Sequence, residues 1–194
     1  MITVFTLPGV FLTPVFGVLA DRWGRKKVLV PSLFLFAFAG GACAFAPNFN
    51  ILLLFRFFQG IGAASLGSLN QTLIGDIYTG KERAAAMGYN ASVLSIGTAS
   101  YPVLGGALAM FGWYYPFLLP LLAIPIALIV IFKLNNPEPK NTQNLGKYLI
   151  TAAKYINNRK VYALFTAATV TFIILYGAYI TYFPFIIASF GGSP

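Results

Sequence analysis

The sequence predicts an all-α, polytopic membrane protein built as a bundle of six transmembrane helices. Of its 194 residues, 58% are hydrophobic and only 9% are charged, whereas a soluble domain carries about 25% charged residues. Such a chain cannot cover a water-facing surface with polar side chains, so the lipid bilayer is its expected surroundings. Six apolar segments are near or above the roughly 20 residues that a helix needs to cross the hydrocarbon core. They span residues 2–20, 28–46, 51–74, 84–110, 114–132 and 161–188.

Each apolar segment is expected to be a helix. The backbone must satisfy its own hydrogen bonds in lipid, which favours helices over open strands. Prolines inside the segments would break a helix in a soluble protein, but a membrane bundle tolerates them as kinks. The first segment has no basic region before it and its cations follow it, so we expect a membrane helix there rather than a signal peptide.

The basic side chains are confined to three connections between the apolar segments. Twelve of the thirteen lysines and arginines lie there, in the first turn, after the third segment and between the fifth and sixth segments. Loops rich in lysine and arginine stay on the cytoplasmic side of a membrane, so these connections are predicted to be cytoplasmic. Both ends of the chain are then predicted to lie on the outer side of the cell membrane (plasma or inner membrane). This topology accounts for most of the +9 net charge, and nucleic acid is not an expected partner.

The chain carries few groups that could perform chemistry. It has no histidine and only four acidic residues, so neither a metal site nor a cofactor is expected. No paired acids, no nucleophile with a base and no phosphate-binding loop occur, which argues against an enzyme. Cys43 lies in an apolar run and is interpreted as a small core residue.

The connection 134–160 is the one sizeable polar segment, and it separates five apolar segments from the sixth. Its start, residues 135–139, contains two prolines that break any helix. Between residues 145 and 156 apolar side chains recur at helical spacing, with polar side chains opposite them. An amphipathic helix on the anionic inner leaflet and a solvated loop are both compatible with this pattern.

A dense group of charges lies in the turn after the first segment, Gly17-Val-Leu-Ala-Asp-Arg-Trp-Gly-Arg-Lys-Lys-Val-Leu29. Gly17 lets helices pack closely, and Gly24 permits a sharp turn. Asp21 and Arg25 are four residues apart and can pair if the helix extends that far. An ordinary cytoplasmic loop would explain the cations, but not an acid at a helix C-terminus, where the macrodipole disfavours it. Asp21 is therefore expected to have a specific partner.

This turn resembles the signature of the major facilitator superfamily, in the loop between its second and third helices. In that family the loop is a cytoplasmic latch, which holds two six-helix halves together in the outward-facing state and releases them in the inward-facing state. The resemblance implies this role for Asp21, Arg22 and Arg25. Arg83, in the next charged inner turn, is a further candidate for the latch.

The third segment carries an arginine inside an apolar helix, in the run Leu52-x-x-x-Arg56-x-x-Gln59-Gly60-x-Gly62-Ala63-Ala64. Intramembrane cations usually face a cavity or a partner, but Arg56 could also reach the outer interface, and its position leaves both open. The run is similar to the family's fourth-helix motif, whose arginine is linked to proton coupling and substrate binding. The residues assigned to these two roles are Arg56, Gln59, Asn70, Asn90 and Tyr101.

The fourth segment contains the run Gly97-x-x-x-Tyr101-Pro102-x-x-Gly105-Gly106. The glycines allow close helix contact and Pro102 kinks the helix, so these residues, together with Gly60, are assigned to helix packing. The run resembles the fifth-helix motif of the family's drug/proton antiporters. It has Tyr101 where that motif has glycine, which weakens the antiport assignment.

The resemblance follows the family's order over nearly the whole chain and corresponds to helices two to seven of a twelve-helix transporter. It implies a partial major-facilitator fold. Residues 1–133 form the N-terminal bundle without its first helix, 134–160 the linker between bundles, and 161–194 the first helix of a C-terminal bundle.

The implied function is secondary transport across the membrane by alternating access. The expected activity is proton-coupled export of small organic molecules or drugs, so a small-molecule substrate, protons and the lipid bilayer are the expected partners. The alternative is a truncated, transport-incompetent remnant, or a membrane interaction module that needs the missing helices on another chain.

Overall fold

The computed structural model describes residues 2–134 and 159–174, together with Tyr182, Ile186 and Ser189. The chain divides into two compact units, Met1–Asn141 and Thr142–Pro194. Within the described ranges the regular structure is helical and contains no strand. The amphipathic segment predicted between residues 145 and 156 lies outside them, and the division of the chain at residues 133 and 160 stays a prediction.

The first two helices, α1 (Ile2–Trp23) and α2 (Arg25–Ala42), meet at a turn made by a single residue. Gly24 has φ 98°, in the left-handed region that side chains with a Cβ rarely adopt. Its N–H donates to the carbonyl of Ala20 at 3.1 Å, which closes the end of α1. Helix α1 thus extends three residues beyond the predicted apolar segment and carries the first charges of the turn.

The next two helices, α3 (Phe49–Ile77) and α4 (Gly80–Phe111), are the longest of the described part of the chain. Asn48 caps α3, because its side-chain oxygen accepts the N–H of Ile51 at 2.9 Å. At 1.5 Å per residue, the 29 residues of α3 span about 44 Å. This length exceeds the roughly 30 Å hydrocarbon core, so α3 is long enough to reach the membrane interface at both ends.

The fifth predicted segment is a composite helix. A 3-10 segment, Tyr115–Leu122, runs directly into α5 (Ala123–Lys133), where the sequence predicts one helix over residues 114–132. Pro116 and Pro120 lie in the 3-10 segment and supply no backbone N–H, which removes hydrogen bonds that a regular α-helix would use there.

Five helical stretches of the described chain are long and apolar enough to cross a membrane: Thr3–Trp23, Arg25–Phe45, Phe49–Ile77, Gly80–Phe111 and Tyr115–Lys133. They coincide with the first five predicted segments, so the prediction of a polytopic helical bundle is confirmed. Of the sixth predicted segment, the structure describes chiefly α6 (Arg159–Phe172), which belongs to the second unit.

The core of the first unit lies around α2, which contacts α1, α3, α5 and the 3-10 segment. Close approach depends on small residues. A Cβ added at Gly62 would lie 2.6 Å from the backbone nitrogen of Phe36, so α3 crosses α2 at near backbone contact. Helix α4 differs from its neighbours, because none of its residues is buried in the described structure. The buried apolar cluster consists of Ala20, Val28, Leu29, Leu33, Ala37, Leu69, Leu73, Ala123 and Ala127.

Candidate functional site

A cluster of three charges joins the ends of three helices. Asp21 lies in the last turn of α1, Asp76 in the last turn of α3, and Arg25 is the first residue of α2. Arg25 Nη1 lies 2.5 Å from Asp21 Oδ1, and Arg25 Nε donates to Asp76 Oδ2 at 2.9 Å. The guanidinium is buried, with 6% of Arg25 exposed, so one arginine bridges two carboxylates at the end of the bundle.

The electrostatics of this cluster explain why its members need one another. An acid at a helix C-terminus and a cation at a helix N-terminus both oppose the macrodipole. Asp21 and Asp76 are acids at helix C-termini, and Arg25 is a cation at a helix N-terminus. Arg25 Nη1 also donates to the carbonyl of Ala20 at 3.1 Å, which satisfies a carbonyl at the end of α1. The three unfavourable placements therefore compensate one another.

Asp76 is the member of this cluster that the sequence prediction left out of the latch and attributed, with the charged turn after the third segment, to helix capping. A signal for it was present, because an acid in the last turn of an apolar helix is as unfavourable in α3 as in α1. Its partner could not be read from spacing, since Arg25 is 51 residues away.

Lys26 extends the same turn to α5. Its Nζ donates to the carbonyl oxygens of Ile131 at 2.6 Å and of Leu134 at 3.1 Å. These carbonyls lie at the end of α5, where they lack partners within the helix. A cation there is also favoured by the helix macrodipole. The turn between α1 and α2 is thereby attached to α3 and to α5.

The other predicted latch residues lie beside the charge cluster without joining it. Arg22 is exposed in the last turn of α1. The guanidinium of Arg83 lies against Gly75, where an added Cβ would be 3.0 Å from Arg83 Nη2. In the described parts of the chain neither arginine belongs to an ion pair. A Cβ at Gly17 would meet no described atom within 4 Å, so its assignment to close packing stays a prediction.

Arg56 lies near the other end of α3, about 30 Å from Asp76 along the helix axis. Its Nη1 donates to Gln59 Oε1 at 3.1 Å. The centre of its guanidinium lies 4.8 Å from the ring centroid of Phe117 and 5.9 Å from that of Phe5. Arg56 is thus half-buried between aromatic rings from two neighbouring elements.

Gln59 and Gly60 are both buried beside Arg56. A Cβ at Gly40 would lie 2.6 Å from Gln59 Nε2 and 2.5 Å from Pro120 Cβ, so the amide of Gln59 fills the space of a missing side chain on α2. A Cβ at Gly60 would overlap the carbonyl oxygen of Phe5, which brings α1 and α3 to backbone contact at this level.

The remaining predicted substrate residues lie nearer the C-terminal end of α3, on the same face, and on α4. Asn70 Nδ2 donates to Asn90 Oδ1 at 2.6 Å and links the two helices. Between the levels of Arg56 and Asn70, a groove of about 350 Å³ runs between α1 and α3. Small and hydroxyl-bearing side chains line much of it, among them Thr6, Thr13, Gly67 and Ser68.

The α4 motif is exposed over most of its length. Tyr101 is 67% exposed, and its ring lies over Gly97 of the same helix, 3.4 Å from the position of an added Cβ. Cβ atoms at Gly105 and Gly106 would meet no described atom within 4 Å, and Pro102 is exposed. Nothing in the described chain packs closely on these two glycines, so their packing role stays a prediction.

Residues 1–194 match the sequence model of the Major Facilitator Superfamily. The chain belongs to the major facilitator superfamily. Its helices and this membership make it a multi-pass membrane protein with a partial major-facilitator bundle.

The relatives of this chain include proteins named as exporters, multidrug transporters and efflux pumps. The bacillibactin exporter of Bacillus subtilis strain 168 is 33% identical over 124 residues, which cover 60% of this chain and 31% of the exporter. The multidrug transporter protein MdtP of the same strain is 33% identical over 130 residues, 66% of this chain and 24% of MdtP. The MFS-type efflux pump MMF1 of Mycosarcoma maydis is 33% identical over 132 residues, 67% of this chain and 21% of the pump. The matches thus cover less than a third of each relative.

Proposed function

We propose that this chain is part of a secondary transporter that exports small organic molecules by alternating access, with protons as the coupling ion. The observation that carries the proposal is the match to a transporter family over the whole chain, with relatives that include a named exporter and a named efflux pump. In the proposed topology the chain lies in the cell membrane with its basic connections on the cytoplasmic side. The charge cluster of Asp21, Arg25 and Asp76 lies on that side as well.

The proposed gate is this charge cluster. Its carboxylates are only partly buried, with 28% of the Asp21 side chain and 32% of the Asp76 side chain exposed. Such groups can exchange partners with water or with another helix at modest cost, whereas fully buried ones cannot. Exposed Arg22 and Arg83 lie beside the cluster and would supply further contacts to the other half of the transporter.

The proposed substrate and proton-coupling region is the face of α3 from Arg56 to Asn70, with Asn90 and Tyr101 of α4. The groove between α1 and this stretch of α3 supports it, because its small residues leave room and the hydroxyls of Thr6, Thr13 and Ser68 offer hydrogen bonds. The described acids Asp21, Asp76 and Glu82 lie in the first or last turn of their helices. A mid-membrane proton carrier would therefore come from elsewhere in the complete protein.

A second candidate function follows from the exposure of α4. This helix buries no residue in the described structure, and its small-residue face is uncovered, since a Cβ added at Gly105 or Gly106 would meet no described atom within 4 Å. Its unpacked surface favours a chain that acts only after other transmembrane helices cover it. The alternative is therefore a transport-incompetent remnant, or an interaction module whose remaining helices are supplied by another chain.

The test is uptake of ethidium into inside-out proteoliposomes carrying the complete protein, with and without an imposed pH gradient. Asp21→Asn and Asp76→Asn each remove one arm of the gate and should slow uptake at least about fivefold, the lower end of typical coupling between sites. Glu82→Gln is the matched control, since Glu82 is an exposed acid in the first turn of α4.

Arg56→Lys tests the substrate region in the same assay. It keeps the charge but loses the planar fork that reaches Gln59, and it should also slow uptake. Gradient-independent uptake would contradict proton coupling. Wild-type rates in both aspartate variants would contradict the gate, and wild-type rates in Arg56→Lys would contradict the role of Arg56.

A further inference from the structure

Arg56 brings a full charge into an apolar helix without a counter-ion in the described chain. The two ion pairs found there belong to Arg25. The guanidinium of Arg56 makes one hydrogen bond, from Nη1 to Gln59 Oε1, and its Nε is buried with no hydrogen-bond partner among these residues. Burying a charged donor without a partner is costly. A contact with the aromatic rings beside Arg56 can offset part of this cost.

The aromatic face of Phe117 is the contact that can do so. Its centroid lies 4.8 Å from the guanidinium carbon, well inside the roughly 6 Å range of a cation–π interaction. Phe5 lies at 5.9 Å, at the edge of that range. We propose that Phe117 is a positioning residue for Arg56: its negative ring face holds the guanidinium, whose Nε has no acceptor among the described residues. The proposal deepens the function proposed above, which it needs only for the consequence in transport.

The surroundings of Phe117 keep its ring in place. Its backbone N–H donates to the carbonyl of Tyr114 at 3.1 Å, which fixes the start of the 3-10 segment. The indole ring of Trp113 meets the Phe117 ring edge-on, with centroids 6.2 Å apart. The ring that faces Arg56 is therefore supported from a second side.

The opposite contact of Arg56 is fixed as well. Gln59 is 2% exposed, and its Nε2 is held in the space beside Gly40 and Pro120. Its Oε1 is the atom that accepts from Arg56. The guanidinium thus has one edge on an immobilised amide oxygen and lies near an immobilised ring, an arrangement that specifies one orientation of Arg56.

Fluorination of Phe117 separates this interaction from simple packing. Each added fluorine withdraws electron density from the face of the ring but changes the size of the side chain little. We would incorporate mono-, di- and trifluorophenylalanine at position 117 of the complete protein, in the wild-type and in the Arg56→Met background. Thermal unfolding in lipid nanodiscs is the first readout. Fluorination of Phe111, which is 79% exposed at the end of α4, is the control.

The expected result is a stepwise fall in Tm of roughly 1–2 °C across the series in the wild-type background. In the Arg56→Met background and at Phe111 the Tm should stay unchanged. Phe117→Tyr, which keeps a ring face, should retain most of the wild-type Tm, whereas Phe117→Leu should not. Equal fluorine responses in both backgrounds, or none in either, would overturn the proposal, since packing alone does not depend on a charge at position 56.

Ethidium uptake is the second readout. If Phe117 positions Arg56 for the substrate, KM should rise along the fluorine series while kcat changes little, and this trend should vanish in the Arg56→Met background. A KM that does not respond, in a protein that transports ethidium, would overturn the positioning role. A protein that transports no ethidium at all would count against the proposed function, and the Tm series would still decide the contact between Phe117 and Arg56.

Discussion

Arg25→Met is the perturbation that tests the structure of the charge cluster most directly. Methionine keeps an unbranched apolar stem like that of arginine but removes the guanidinium. The variant loses the contacts to Asp21 Oδ1 at 2.5 Å and to Asp76 Oδ2 at 2.9 Å, and the hydrogen bond to the Ala20 carbonyl at 3.1 Å. It leaves two carboxylates at helix C-termini, where the macrodipole disfavours both.

The expected loss in the free energy of unfolding follows from how deeply the three charged side chains are buried. Removing one member of a fully buried ion pair costs about 3–5 kcal/mol. Here the arginine side chain is 8% exposed but the carboxylates are 28% and 32% exposed, so both acids recover part of their hydration. We therefore expect a loss of about 2–3 kcal/mol. For a chain of this size that corresponds to a fall in Tm of roughly 4–12 °C.

The assay is thermal unfolding of the purified protein in nanodiscs, followed by circular dichroism. Arg22→Met is the matched control, because Arg22 is exposed three residues earlier and belongs to no ion pair in the described chain; its Tm should not change measurably. Adding Asp21→Asn and Asp76→Asn to Arg25→Met should restore most of the lost Tm, since the two negative charges at helix C-termini are then removed as well. An Arg25→Met protein as stable as the control, or no recovery in the triple variant, would refute the reasoning.

Two further predictions concern helix packing. Gly60→Ala places a methyl group on the carbonyl oxygen of Phe5, a backbone atom that cannot rotate away. It should therefore lower the free energy of unfolding by about 1–3 kcal/mol in a thermal unfolding experiment. The control is Gly67→Ala, two turns along the same helix in open space, which should be neutral; equal effects would contradict the close contact of α1 and α3. Alanine substitutions of Asn70 and Asn90, alone and together, should show a coupling of about 0.6 kcal/mol in a double-mutant cycle, typical of hydrogen bonds between membrane helices. Strictly additive losses there would mean that the 2.6 Å bond contributes nothing.

Much of the architecture could be predicted from local features of the sequence. The five described spans match the predicted apolar segments to within a few residues at most ends, because the length of an apolar run is set by the bilayer itself. The composite fifth helix was less predictable. Pro116 and Pro120 mark it in the sequence, but prolines inside α1 and α4 leave those helices α-helical.

The candidate site was predictable only in part. The motifs singled out Asp21, Arg25, Arg56 and Gln59, since their types and spacings are local properties of the chain. The structure also separates the predicted substrate residues into two levels, with Arg56 and Gln59 at one and Asn70 with Asn90 at the other. Spacing along α3 implies that separation, but only the packing of α4 on α3 pairs the two asparagines.

The sequence by itself determined that the chain enters a membrane, where its helices run and which turn concentrates charge. These properties follow from composition and spacing over ten to thirty residues. Only the tertiary structure decided that Arg25 is shared by two acids, that Lys26 closes the end of α5, and that Phe117 faces Arg56. The physical reason is that each of these contacts joins different helices, and their meeting depends on how closely glycines let those helices approach.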